Sequence, residues 1–476
     1  MQPVRLSRSI VVVAALSLLC SRPVLTQDSM GGSDPTGRGH SGQGAGGPGQ
    51  GGPGGQGGTG GAAPLDPSVK RTPVQAGKAT GFLYQPAAPG EKARIGVFVM
   101  HFGSDYSNFS ACSELSRRGY TVLCTKNSGG GLNDILPDAR SSVEYLRSVD
   151  GVRKVVLWGH SGGATLMTAY QLMAENGVKA CQGPEKITKC PESLAGMPVA
   201  DGMILADANW GNAVMTLLSI DPAVIDEGDP AKLDEDLNLF SRKNGFNAGG
   251  NSNYSPEFIK KWQSAVGRRN NAVIKSMLEK VAALGPESTD DPRVVVYGAN
   301  SIGPNNKLFP QDVKLMAHTV KPWPLIHADG SVTTQIVYSV RVPSGRPSSP
   351  QNGALNTTAR RYLVDNAVRV TGGFGYDENS MYGVEWASSY ASAPGNVEQI
   401  RIPSLFVGMT GGYEYLAAET IYEHSAARDK SLAFVEGASH GYGACRQCET
   451  TPGQFGDTIK TLYNYADRWL SQKGRF

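Results

Sequence analysis

Five residues, Gly159-His160-Ser161-Gly162-Gly163, combine a nucleophilic hydroxyl with the backbone freedom needed to present it. A strand-type run, Lys154 to Trp158, leads into them, and a helix-forming run, Ala164 to Tyr170, leads out. Strand, tight turn and helix are the setting of a Gly-x-Ser-x-Gly nucleophile elbow. Its serine takes a strained conformation, and its glycines let strand and helix approach without a Cβ clash. A serine hydroxyl needs a neighbouring base to attack at neutral pH. Among the seven histidines, His440 stands in a Gly-rich turn, Gly437-Ala438-Ser439-His440-Gly441, between a strand-like run and the last helical one. Other chemistries have less support. No His-Glu-x-x-His pair or dense acidic cluster suggests a metal, and no cofactor is expected. Ser128-Gly129-Gly130-Gly131 follows a strand but lacks the Gly-x-Gly-x-x-Gly spacing and the downstream acidic residue of a dinucleotide site.

The elements that must position these residues alternate between strand and helix, which predicts an α/β fold with a mostly parallel sheet flanked by helices. Strands are expected at Gly81–Tyr84, Ile95–Met100, Tyr120–Cys124, Lys154–Trp158 and Gly202–Ala206, with helices at Ser107–Arg118 and Asp134–Arg147. In the second of these helices Ile135, Ala139, Val143 and Leu146 recur at helical spacing. The rhythm breaks after Asp207 and resumes with strand Ile402–Val407, helix Leu416–His424, strand Leu432–Val435 and helix Thr458–Leu470. Between them lie helix-like stretches (Pro256–Arg268, Asn271–Leu284) and short β-like runs (Val294–Tyr297, Thr334–Val342). The expected organisation is a catalytic domain of residues 64–207 and 401–476, interrupted by a large cap or lid insertion at 208–400. Trp210, Trp262, Trp323 and Trp386 would line an apolar pocket in the cap or form its own small core.

Composition bounds the setting. The chain has 476 residues, with 45 basic against 42 acidic. It lacks a clustered basic run with interleaved aromatics, so no nucleic-acid partner is expected. Arg5 and Arg8 precede an apolar core from Ile10 to Leu19, the pattern of a secretory signal over residues 1–26. Residues 27–63 are dominated by Gly with Gln, Pro and Ser and read as a disordered linker. No later segment has enough consecutive apolar residues for an integral membrane helix. A secreted protein is therefore expected, with three glycosylation candidates at Asn108, Asn253 and Asn356. Beyond Cys20, in the signal, six cysteines remain, enough for three disulfides. Cys181 and Cys190 are close enough to staple a loop, Cys112 can reach Cys124 from helix to strand, and Cys445 with Cys448 reads as a bridge.

The elbow and the histidine turn together resemble the α/β-hydrolase fold, over about residues 64–207 and 401–476. The resemblance implies a serine esterase or lipase-like enzyme in which Ser161 attacks, His440 is the base and a carboxylate orients it. It also implies an oxyanion hole from the Gly162 backbone N–H and a second N–H after the Ile95–Met100 strand, from Gly103 or Phe102. Phe102 stands where glycine is usual, and the His101 side chain is expected only to pack under this loop. The acid departs from the pattern. The loop Gly408-Met409-Thr410-Gly411-Gly412-Tyr413-Glu414 has glycines where the family's aspartate falls. Glu414 is taken slightly ahead of Asp207, at the tip of the strand after the elbow helix; either keeps the order Ser, acid, His. The implied substrate is a small-molecule or lipid-like carboxylic ester. The same triad would also serve transesterification, lactone opening or C–C cleavage, and the missing aspartate leaves room for a non-catalytic binding protein.

Overall fold

A computed structural model of the protein describes residues 66–301 and 307–476, so the expected signal segment and Gly-rich linker lie outside the described residues. In chain order the first half contains β1 (Val69–Ala76), β2 (Ala79–Pro86), β3 (Ile95–Val99), α1 (Ser110–Arg117), β4 (Thr121–Lys126), α2 (Leu132–Ser148), β5 (Lys154–Ser161), α3 (Gly163–Asn176), β6 (Gly202–Ala208) and α4 (Asn212–Ser219). The middle adds α5 (Pro256–Ala283), β7 (Arg293–Val296), β8 (His318–Ile326), β9 (Val332–Tyr338), β10 (Leu355–Thr358), α6 (Ala359–Asp365), β11 (Val370–Tyr376), β12 (Met381–Val384) and α7 (Ala393–Val397). The chain finishes with β13 (Ser404–Met409), α8 (Ala417–His424), β14 (Lys430–Val435) and α9 (Thr458–Leu470).

Ten strands form one sheet in the order β1-β2-β4-β3-β5-β6-β13-β14-β8-β9. From β4 to β8 the neighbours are parallel, while β1, β2 and β9 join antiparallel. The parallel strands are buried on both faces, which is why β3 reads Ile-Gly-Val-Phe-Val without polar alternation. Side chains alternate between two cores. Val97, Val156, Trp158, Ile204 and Val407 point to the layer holding α1 and α9, where Leu115, Tyr463 and Trp469 meet them. Phe98, Leu157, Met203, Leu205 and Phe406 point to the opposite layer with α2, α3 and α8. This is the architecture that the resemblance to α/β-hydrolases implied.

The insertion differs from expectation in two ways. Pro256 to Ala283 is one 28-residue helix rather than two. It begins at Ser255, whose hydroxyl caps the Phe258 N–H, with proline in the first turn. Secondly, residues 318–338, expected within the cap, extend the central sheet as the β8–β9 hairpin beside β14. The sequence disguised β8 because Pro322 and Pro324 remove ladder donors, and only Leu325 and Ile326 pair with β14, opposite Phe434 and Val435. The tryptophans are core material: Trp210 and Trp262 are fully buried, and Trp323 and Trp386 pack against the same core.

Three disulfides join Cys112 to Cys124, Cys181 to Cys190 and Cys445 to Cys448. No helix among the described residues is long and apolar enough to cross a membrane.

Candidate active site

Strand β5 delivers Ser161 at its last position and α3 starts two residues later. Ser161 holds φ at 52°, a left-handed conformation that costs a non-glycine residue energy and that the turn imposes. A Cβ on Gly159 would lie 2.7 Å from Leu205 Cδ2 and 3.1 Å from the Gly163 carbonyl oxygen, so this glycine permits the close approach of strand and helix. Asp207, near the end of β6, shares this left-handed conformation, at φ 48°. Both strained positions face one histidine.

His440 lies in the turn after β14, and its ring joins the two. The Ser161 hydroxyl is 3.1 Å from Nε2, to which it can donate, and Nδ1–H donates to Asp207 Oδ2 at 2.7 Å. Glu414 also comes close, with Oε2 3.8 Å from Nδ1, beyond hydrogen-bond length. The sequence placed Glu414 ahead of Asp207, whereas the hydrogen bond runs to Asp207. Asp207 stands at the end of β6, which pairs with β5 beside Ser161, and so reaches the histidine directly, while Glu414 approaches from the loop after β13.

Both carboxylates are almost fully buried, and each keeps one oxygen, Asp207 Oδ1 and Glu414 Oε2, without a hydrogen-bond partner. Burial pushes Asp207 up to about 6 against the pull of His440, and the Glu414 charge adds to the rise. For His440, burial works against the charged form, but the Glu414 and Asp207 carboxylates outweigh it and raise the imidazole to about 9.

Sequence reasoning missed the support beneath this histidine. His160, inside the elbow motif, is buried with both ring nitrogens engaged: Nδ1 lies 2.6 Å from the Tyr106 hydroxyl and Nε2 2.6 Å from the His440 carbonyl oxygen. The carbonyl can only accept, so Nε2 carries the proton and Tyr106 donates to Nδ1. Burial, with the charge of His440, holds His160 well below its ordinary value, so the imidazole stays neutral. Tyr442 ties down the same turn, accepting from Trp158 Nε1–H and donating to the Ala206 carbonyl, each at 3.1 Å. Ligand-type atoms of His160, Asp207 and His440 lie within 4.8 Å of one another, yet these hydrogen bonds already occupy both His160 nitrogens and His440 Nδ1. The cluster is a hydrogen-bond chain.

The loop after β3 also departs from expectation. The Gly103 N–H donates to His101 Nδ1 at 3.0 Å, as does the Ser104 N–H at 2.9 Å. The expected second oxyanion donor is therefore turned toward a neighbouring side chain. An Nδ1 that accepts twice places the ring proton on Nε2. Burial, reinforced by His440, lowers His101 to about 4, so it stays neutral. Its Nε2 sits beside the elbow, 3.1 Å from where a Cβ on Gly162 would be. The Asn127 amide donates to the His101 and Phe102 carbonyls at 2.8 and 2.9 Å and fixes the loop. Only the His101 side chain, pairing backward within its own loop, distinguishes this arrangement, and no motif announces that.

These groups open into a cleft of about 730 Å³, lined by Ser161, His440 and Glu414 at its base and by Leu355, Asn356 and Asn366 from the insertion. None of the four insertion tryptophans lines it. Of the glycosylation candidates, Asn356 stands on the cleft wall; Asn108, bonded to Arg71 and Tyr84, and Asn253, near Lys314, are exposed elsewhere.

Neither a family model nor a curated protein matches the chain. Among solved structures it is similar to Est1E from Butyrivibrio proteoclasticus, at 10% identity over 84% of this chain and 97% of that one, with a TM-score of 0.37. A soluble variant of monoglyceride lipase from Saccharomyces cerevisiae gives 12% identity over 86% and 99%, with a TM-score of 0.36. Paleococcus ferrophilus monoacylglycerol lipase gives 13% over 84% and 98%, with a TM-score of 0.32. At these scores the functional reading rests on the site itself.

Proposed function

We propose that the protein is a serine hydrolase of α/β-hydrolase type that cleaves a carboxylic ester through an acyl-enzyme. The observation that carries this reading is the chain Ser161 Oγ–His440 Nε2 at 3.1 Å and His440 Nδ1–Asp207 Oδ2 at 2.7 Å. Ser161 attacks the ester carbonyl while neutral His440 takes its proton, and buried Asp207 holds the tautomer and stabilises the imidazolium. The tetrahedral oxyanion is received by the Gly162 N–H, at the start of α3, and by His101 Nε2–H in place of the Gly103 N–H. Collapse expels the alkoxide, which takes the proton from His440, and water activated by the same histidine releases the acid. Glu414 acts on the charge of His440 without bonding to it. The three disulfides accord with export, and glycans at Asn108, Asn253 or Asn356 belong to the same proposal.

A fluorophosphonate probe tests the nucleophile: wild type should be labelled and Ser161→Ala should not. An unlabelled, folded wild type overturns the proposal. For the acid, Asp207→Asn should lose about 10⁴ in kcat. Activity of Asp207→Asn near wild type would remove Asp207 from the triad.

A further inference from the structure

Three asparagines in the cleft share an arrangement that the ester chemistry does not require. Asn209 follows β6, Asn212 opens α4 and Asn366 closes α6, so they stand on both the elbow side and the insertion side. Each is fixed at one end of its amide. Asn209 Oδ1 accepts from the Gly211 N–H at 2.9 Å. Asn212 Oδ1 accepts from the Thr165 hydroxyl at 3.3 Å, while its own N–H donates back to that oxygen at 2.9 Å. Asn366 Nδ2 donates to the Thr216 hydroxyl at 2.9 Å. The opposite ends are left for the cleft: two amide donors, from Asn209 and Asn212, and one carbonyl acceptor, from Asn366. None of these three atoms is sealed away without a partner, so each is open to what fills the cleft.

Building on the serine-hydrolase reading, we infer that the cleft takes an ester of an uncharged, polyhydroxylated compound, of sugar or polyol type, and binds its hydroxyls through Asn209, Asn212 and Asn366. A hydroxyl both donates and accepts, and matches a set of mixed donors and acceptors held in fixed orientation. An alkyl chain would strip water from the amides and return no hydrogen bond, the condition under which a site discriminates most strongly. An anionic ligand fits less well. Glu414 lies at the base with Asp207 buried behind His440, and the Arg361 guanidinium at the wall is already paired with Asp365 at 3.1 Å and bonded to the Gly130 carbonyl at 2.6 Å. Phe102, Tyr106, Met215, Leu355 and Tyr413 supply apolar lining beside these amides.

The test uses matched rings with the full chain. A mono-O-acetyl methyl glycoside is compared with cyclohexyl acetate, and the methyl ester of a hexuronic acid glycoside with methyl cyclohexanecarboxylate. The hydroxylated member of at least one pair should have the higher kcat/KM, by on the order of 100-fold. Asn366→Leu should cut that ratio by about tenfold, and Asn212→Ala, the second variant should the first not fold, by a similar factor. Protein that labels with fluorophosphonate at Ser161 but shows no preference for, or no turnover of, the hydroxylated esters overturns this inference and leaves the hydrolase reading standing. Absence of labelling at Ser161 overturns both.

Discussion

Replacing Glu414 by glutamine keeps the side chain's shape and removes its charge. The carboxylate stands 3.8 Å from His440 Nδ1. At that distance a unit charge is worth about 4 kcal/mol at an effective dielectric near 20 and about 1 kcal/mol in water. The His440 side chain is 43% exposed toward the cleft, so the lower part of that range applies. One pH unit corresponds to about 1.4 kcal/mol, which sets the shift at about one to two units downward. The sign follows from the chemistry: a nearby anion favours the imidazolium, its loss favours the neutral base, and kcat/KM rises as the free enzyme's base deprotonates. With His440 held at about 9, wild-type kcat/KM should climb into the alkaline range, and Glu414→Gln should climb earlier. The assay is kcat/KM for a simple acetate ester in a pH-stat, from about pH 5 to about pH 10. At the alkaline plateau the variant should keep kcat within about tenfold, because Asp207 retains its bond. A rising limb that moves by less than about 0.3 unit refutes the electrostatic argument. A plateau lowered by several orders of magnitude refutes the assignment of the acid.

Three other perturbations probe separate parts of the structure. His101→Asn retains an acceptor for the Gly103 and Ser104 N–H groups but lacks the Nε2–H, and kcat should fall by about 10²–10³; a change below threefold excludes His101 as an oxyanion donor. His160 is neutral when folded and held well below its ordinary value, so the unfolded chain binds the extra proton as pH drops, and stability is lost downward from about pH 6.5. His160→Gln cannot lose that contribution, so its deficit against wild type in urea unfolding should shrink by about 2 kcal/mol between pH 7 and pH 5; an unchanged deficit contradicts a buried neutral ring. Removing the bridge between Cys112 and Cys124, 12 residues apart, with a double alanine variant should cost about 3 kcal/mol by loop entropy, read from denaturant midpoints; a cost near zero would mean that the unfolded chain is not constrained by it.

Much of the half that carries Ser161 was legible because its signals are local. The apolar run before Ser161 and the glycines at 159 and 163 define strand, turn and helix within a dozen residues, and the structure reproduces them as β5 and α3. Helix α9 falls on the expected residues, Thr458–Leu470. What stayed hidden depends on distant partners. Glu414 and Asp207 were both drawn toward the histidine by chain order, and which one bonds is set by the pairing of β6 with β5, which brings Asp207 beside Ser161. The β8 strand was hidden by its prolines, and its place in the sheet is set by β14, more than 100 residues away along the chain. The role of His160 depends on Tyr106 and on the His440 carbonyl, neither of which is near it in sequence.

The β8–β9 hairpin carries a consequence for how this protein can vary. A cap attached only by its two ends is a cassette: it can be cut out or exchanged without disturbing the scaffold. Here the inserted chain returns to the scaffold midway, pairs with β14, and then bonds through the Val340 N–H and the Ser339 hydroxyl to the Thr410 carbonyl, in the loop that carries Glu414. Excising residues 208–400 would uncover the backbone of Phe434 and Val435 as an open sheet edge, which recruits other chains into aggregates. New specificity in this scaffold therefore has to arise on either side of the hairpin, by replacing 208–317 or 341–400 while leaving the stitch between them in place.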